Sequence, residues 1–291
     1  GRGGPARRGG AAALRALLAP RRTGVTTVDT LTYLYAVVPA DAPEIPDGVA
    51  GIDGAPVRLL RAAGLAAAVS DVATAEYGEA ALDARTAELA WVGERGAAHE
   101  AVLLWLADRG PVLPLTLFSL HAGPERVRAL LEGEGERFRR GLARVAGRRE
   151  WGVRLWRVDA RVAEHLDELS PRLRDLAAEI AAASPGKQFL LRKKAAGLRA
   201  EELRAVGADA ARQAYAALAP LAAEARALPL AGRGGDDGRA LVLDAAFLVD
   251  EAAFAAFQRG VTEAAHRWGA AGFELEFTGP WPPYHFAADD A

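Results

Sequence analysis

The sequence predicts an α+β protein built from two units. Short apolar runs with period 2 alternate along the chain with longer runs at helical spacing. Val162, Leu166, Leu169, Leu173, Leu176 and Ile180 form a heptad-like seam, which marks a helical hairpin. The 291 residues give room for two domains of roughly 150 residues each. The expected division is a disordered basic tail over 1–28, an α+β unit over 29–147 and a second α+β unit over 148–291. The hairpin of the second unit covers about 160–226.

The first 28 residues hold six arginines and no acid. Two readings fit: a disordered extension or a basic arm for an acidic partner. The apolar stretch AAALRALLA is short and interrupted by Arg15, which argues against a secretory signal. Order is expected from "TLTYLYAVVPA", where Tyr33, Tyr35 and Val37 alternate with Leu34, Ala36 and Val38. Both sets are largely apolar, as in a strand buried on both faces. A Pro/Gly/Asp-rich loop follows, then two apolar runs around Ala63-Gly64 that read as a hairpin. "RGAAHEAVLLWLADRG" reads as an amphipathic helix with Ala98, Val102, Trp105 and Leu106 on one face, stopped by Gly110-Pro111. "PVLPLTLFS" reads as another strand. Residues 123–147 read as helix, interrupted at Gly133 and Gly135, since each glycine costs about 1 kcal/mol against alanine.

The second unit opens on a strand, "REWGVRLWRVD". The leucine seam follows, interrupted at Ser170-Pro171. Serine suits an N-cap and proline the first helical turn, so one helix can end and another begin there with the seam intact. "SPGKQF" is a tight connection, and an Ala/Arg/Glu-rich helix is expected over about 187–226. The seam packs inside the hairpin on one reading and against a partner helix on the other. "ALVLDAAFLVD" is a buried strand. Residues 251–272 form a helix with Phe254, Phe257, Val261 and Trp268 on one face. "FELEFTG" is a last strand ending near a sheet edge or rim, because Pro280, Pro282 and Pro283 cannot donate ladder hydrogen bonds. Strand, helix pair, strand, helix, strand resembles a ferredoxin-like sandwich. Trp105, Trp151, Trp156 and Trp268 are expected in cores.

Composition excludes several kinds of chemistry. There is no cysteine, hence no disulfide, thiol nucleophile or cysteine-ligated metal. Net charge is −2, so no overall basic field attracts nucleic acid or an anionic surface. No run approaches the ~18 apolar residues of a membrane span. Arginine carries nearly all the positive charge, since lysine occurs only at 187, 193 and 194. "HEAVL" has Leu103 where a zinc protease needs its second histidine, and His99 then reads as a helix-surface histidine. "ASPGKQ" has Ala181 and Gln188 where a phosphate loop needs glycine and a hydroxyl. Asp236 and Asp237 lack the spaced ligands of a calcium loop. The five histidines show no metal-ligand spacing. No catalytic, cofactor or metal residue is expected.

A series of stretches resembles the gas vesicle protein F/L family: "YLYAVV" (33–38), "GLAAAVSDV" (64–72), "HEAVLLWLADRGPVLPLTLFS" (99–119), "GRREWGVRLW" (147–156), "SPGKQFLLRKK" (184–194), "AAFLVD" (245–250) and "FTGPWPPYHF" (277–286). The series covers about residues 31–286. The most distinctive positions are Glu150, Trp151 and Gly152, with Gly279, Pro280, Pro282 and Pro283. Where the family has "PLRFG", this chain has Pro114-Leu115-Thr116-Leu117-Phe118-Ser119.

The resemblance implies two α+β domains, the second a modified ferredoxin-like domain. It implies a cytoplasmic, gas vesicle-associated accessory protein without catalytic activity or cofactor. Its partners would be the hydrophobic gas vesicle shell protein and other accessory proteins. A protein that keeps water out of a gas space must expose apolar surface before assembly, so a binding factor has a physical reason to exist. Two other readings stay open: a minor structural component of the finished vesicle, and a ferredoxin-like small-molecule-binding protein. The segment from Gly279 to Phe286 is expected either to fold back over core at the domain junction or to offer Trp281, Tyr284 and Phe286 as partner anchors.

Overall fold

The computed structural model describes residues 29–230 and 238–287. The expectations for the basic tail and for Asp236 and Asp237 lie outside the described residues.

The first sheet contains β1 (Thr30–Pro39), β2 (Arg58–Ala62), β3 (Leu65–Ala73) and two short strands, β4 (Leu113–Pro114) and β5 (Leu120–His121). Its order is β2-β3-β1-β4, with β5 also on β1, and all pairs are antiparallel. The turn at Ala63-Gly64 places both residues at positive φ, which closes the expected hairpin. β1 is buried on both faces, but its alternation breaks at a register shift between Leu34 and Ala36. Tyr33, Tyr35, Ala36 and Val38 therefore share one core, while Leu34 and Val37 face another.

Five helices complete this half: α1 (Thr74–Tyr77), α2 (Glu79–Arg85), α3 (Leu89–Ala107) and the pair α4 (Pro124–Gly133) and α5 (Gly135–Val145). The last two meet at the expected glycine break. α3 starts earlier than its apolar stripe suggested. The strand expected over "PVLPLTLFS" is not one strand. Pro111 and Pro114 cannot donate, and Phe118 adopts a left-handed φ of 64°, so Thr116–Ser119 turns between β4 and β5.

The second sheet contains β6 (Arg148–Val158), β7 (Glu224–Ala227), β8 (Arg239–Asp250) and β9 (Phe273–Trp281) in the antiparallel order β7-β8-β6-β9. Between β6 and β7 lie α6 (Asp159–Leu169), α7 (Pro171–Ala182) and α8 (Pro185–Leu218), and α9 (Phe254–Gly269) precedes β9. The long helix begins at Pro185 and ends eight residues short of 226, where Pro220 stops it. The chain then returns as β7, an edge strand not foreseen. Of the four tryptophans expected in cores, Trp268 is buried and Trp105, Trp151 and Trp156 are half-buried.

The leucine seam packs within the hairpin: Val162, Leu166, Leu173 and Leu176 are buried. At the break, Ser170 caps α7. Its buried hydroxyl accepts from the Leu173 amide (3.1 Å) and donates to Glu202 on α8 (2.8 Å), while Arg172 holds the other Glu202 oxygen (3.0 Å). Ser170→Ala should lower stability by about 2 kcal/mol, combining a lost cap with an under-bonded buried carboxylate. The urea midpoint should fall at unchanged slope.

Three cores result. One lies between α3 and the tyrosine face of the first sheet. One lies between α6–α9 and the face of the second sheet carrying Val153, Leu155, Leu243 and Phe247. The third joins Leu34, Val37 and Leu60 of the first sheet to Leu131, Phe138 and Leu142 of α4 and α5. It also includes Ala246 and Leu248 of β8 and Phe286. The α4–α5 layer is thus covered by both sheets.

Candidate functional site

β9 is the edge neighbour of β6, and the two run together to the pairing of Glu150 with Trp281. The strand continues through Gly279-Pro280, two residues beyond the expected stop. The Gly279–Pro280 bond is cis, and the ladder is irregular between Glu150 and Gly152. Each residue of "EWG" has a steric or polar task here. Trp151 stacks between Phe254 and Phe277, with ring centroids 4.5 and 4.9 Å away. Gly152 leaves room for Thr278, whose hydroxyl would lie 2.7 Å from a Cβ. That hydroxyl accepts a hydrogen bond from the Trp281 indole (3.1 Å). Gly279 has φ 117°, and a Cβ there would meet the Glu150 carbonyl oxygen at 3.0 Å and the Trp151 ring at 3.1 Å.

Past Trp281 the chain leaves the sheet and folds back. Pro282 and Pro283 are buried, and the Tyr284 and Phe286 amides donate to the Pro282 and Pro283 carbonyls (2.7 and 3.1 Å). Buried Glu150 anchors this strap. One carboxylate oxygen accepts from the His285 amide (2.9 Å) and the other meets His285 Nδ1 at 2.6 Å. The carboxylate holds the imidazole above its ordinary pKa, against the opposing pull of burial. Tyr284 donates to Glu100 of α3; burial pushes its hydroxyl pKa up, and the carboxylate adds to the shift. Phe286 sits fully buried in the shared core, with the Arg226 guanidinium 5.1 Å over its ring. Among the three anchors expected from sequence, Trp281 (41% exposed) and Tyr284 (39%) lie at the surface and Phe286 does not.

Beside Trp281 and Pro283 opens a cleft of about 320 Å³ that reaches Arg109, Arg148, Arg149 and Glu251. Its guanidinium groups are engaged. Arg148 donates to Asp250 (2.8 Å) and to the Arg144 carbonyl (2.8 Å), and Arg149 to Glu251 (3.1 Å) and to the Ala107 carbonyl. Among the described residues no group of His, Asp or Glu side chains is placed to hold a metal ion, and no helix is long and apolar enough to cross a membrane.

His99 is not a surface residue. It is 4% exposed, accepts or donates at 2.8 Å with the Tyr33 hydroxyl, and lies against the Tyr35 ring. The Tyr33 hydroxyl also receives the Phe118 amide (3.0 Å), which ties the left-handed turn to the core. Burial holds the His99 pKa down at about 4. The signal was present in the sequence: 99, 102, 103 and 106 follow i, i+3, i+4, i+7.

The model of the family described as "Gas vesicle synthesis protein GvpL/GvpF" matches residues 31–288. Gas vesicle protein L of a Streptomyces species is 34% identical over 269 residues, spanning 90% of this chain and 94% of that protein. Gas vesicle protein L1 of Halobacterium salinarum is 30% identical over 271 residues, spanning 90% and 92%. Crystal structures of GvpF from Microcystis aeruginosa and from Anabaena sp. PCC7120 share the fold, with TM-scores of 0.60 and 0.62 at 20% and 21% identity. Each covers 90% of this chain, and 99% and 98% of its own. With the family model covering nearly all of the described residues and relatives aligned over most of their length, the chain belongs to the gas vesicle synthesis protein GvpL/GvpF family.

Proposed function

We propose that this protein is an accessory factor of gas vesicle assembly that binds the hydrophobic shell protein, and other accessory proteins, to support nucleation or shell growth. Family membership implies a role in gas vesicle formation. The binding role rests on one observation: Trp281 and Tyr284 stay about 40% exposed on a strap that is otherwise anchored by Glu150, Thr278 and Phe286. Pre-positioned aromatics of this kind lose little entropy on binding and make strong anchors. The work is non-catalytic and takes place in the cytoplasm, at the gas vesicle.

In this reading residues 29–147 and 148–291 are two α+β units. The order β7-β8-β6-β9 with helices between the strands supports a modified ferredoxin-like second unit carrying a helical hairpin.

The test is the double variant Trp281→Ala with Tyr284→Ala. Co-purification with the shell protein should fall at least tenfold, while stability drops by no more than about 2 kcal/mol, since both side chains are partly solvated in the free protein. Unchanged co-purification would remove the strap from the interface. Failure of the unaltered protein to co-purify with the shell protein would overturn the binding reading itself.

A further inference from the structure

The hairpin tip is chemically unlike the rest of the molecule. Phe189 and Leu190 are 69% and 65% exposed, adjacent on the first turns of α8. One helical turn further on, each is followed by a lysine: Phe189 by Lys193 and Leu190 by Lys194. These two and Lys187 are the only lysines in the chain. No acid occurs between Glu179 and Glu201, a stretch that also holds Arg192 and Arg199. Lys187 pairs with Glu179 (3.0 Å) and Arg199 with Asp167 (2.8 Å), whereas Lys193 and Lys194 have no acidic partner among the described residues. The positive end of the α8 dipole points out at the same place.

The tip is held in position. Leu191 is buried, and the Ser170–Glu202–Arg172 contacts clamp the helices further down. α8 has 34 residues, and the core begins to include it near Ala195 and Leu198. Phe189 therefore lies about 9 Å along the helix before the point where α8 joins the packed body, at 1.5 Å per residue.

We propose that this tip docks an acidic amphipathic helix of a partner protein, with adjacent apolar side chains meeting Phe189 and Leu190 and carboxylates one turn away meeting Lys193 and Lys194. Two parallel rows at i and i+4 form a ridge that fits the groove of a second helix. Charge complementarity selects the acidic partner. An anionic membrane is a poorer fit. Surface-seeking helices present a long apolar face, whereas here Leu191 already packs inward and only two apolar side chains of these turns point out. This surface is separate from the strap around Trp281, and its chemistry does not depend on the shell-binding reading.

The test is binding of a labelled synthetic helix with paired leucines and a glutamate face to the full-length protein, followed by fluorescence anisotropy. Saturable binding is expected, weakened by added salt. It should weaken at least tenfold in Phe189→Ser with Leu190→Ser, and equally in Lys193→Glu with Lys194→Glu. The melting temperature of both variants should stay unchanged because all four side chains are exposed. A lysine-faced version of the helix should regain binding to the Lys193→Glu, Lys194→Glu protein. No saturable binding through the millimolar range, indifference to the charge reversal, or tighter binding to phosphatidylserine vesicles than to the peptide would each overturn the proposal. Intact shell co-purification in these variants is expected, so failure here is distinguishable from failure at the strap.

Discussion

Phe286→Ala should be the most damaging single truncation at the chain's C-terminal end, costing about 3–5 kcal/mol, the range for removing a fully buried aromatic. The ring is 0% exposed and belongs to the core that also holds Leu34, Leu131, Leu142 and Leu248. A loss of that size is a large fraction of the roughly 5–15 kcal/mol that separates folded from unfolded protein. The partial room left by the side chain cannot close easily. Gly141 already lies so near Leu113 and the Ala287 carbonyl that a Cβ there would sit 2.9 and 3.4 Å from them. Chemical denaturation should show the loss, and Phe286→Leu should recover more than half of it. A cost below about 1 kcal/mol for the alanine variant would mean the strap rests on the fold without completing it.

Acidification should produce the second large effect, through His99. Its folded pKa of about 4 lies below the ordinary 6.5, so the native state favours the neutral ring. The resulting stability is fully present above pH 6.5 and is lost as pH falls from there toward 4. The difference corresponds to about 3 kcal/mol. His121, also lowered by burial, acts in the same direction. His285 acts in the opposite one. Its folded pKa is raised by Glu150, so its contribution is present below about pH 6.5 and fades as pH rises through the folded value. Its ring is partly exposed, so this opposing term is weakened by solvent. Urea midpoints at pH 7.5, 6 and 5 should converge for the unaltered protein and His99→Gln as pH falls, because the variant is already less stable at neutral pH and no longer has the acid-sensitive His99 contribution to lose. Parallel profiles for the two proteins would show that His99 does not control acid lability.

Local pattern carried much of the fold. The Ala63-Gly64 hairpin, the glycine break before α5 and the Ser170 cap were legible because each depends on residues within a few positions. The departures have non-local causes. β1 looked like simple alternation, and the bulge that regroups Val37 with Leu34 is set by its pairing with β3. β7 looked like more helix because alanine, glutamate and arginine suit one locally, yet pairing with β8 and the Arg144–Glu224 ion pair hold it as strand. Phe118 adopts its turn because the Tyr33 hydroxyl, 85 positions away, receives its amide. At the strap, the prolines and aromatics stood out in sequence. The partners that divide them, Glu150 for His285 and the shared core for Phe286, could not be seen there. Only burial distinguishes Phe286 from its two exposed neighbours.

The shared core has a consequence for how the molecule can be divided. Leu34 and Val37 on one side, and Ala246 and Leu248 on the other, close over the same layer of α4 and α5. The first half leaves the far side of its α4–α5 layer uncovered, and the second half leaves Ala246 and Leu248 uncovered. A cut at Gly147 would produce two fragments that each expose an apolar surface, and the most favourable way to cover both is mutual. The protein should therefore behave as a complementing pair, in which separately made halves aggregate alone and regain a common melting transition when mixed.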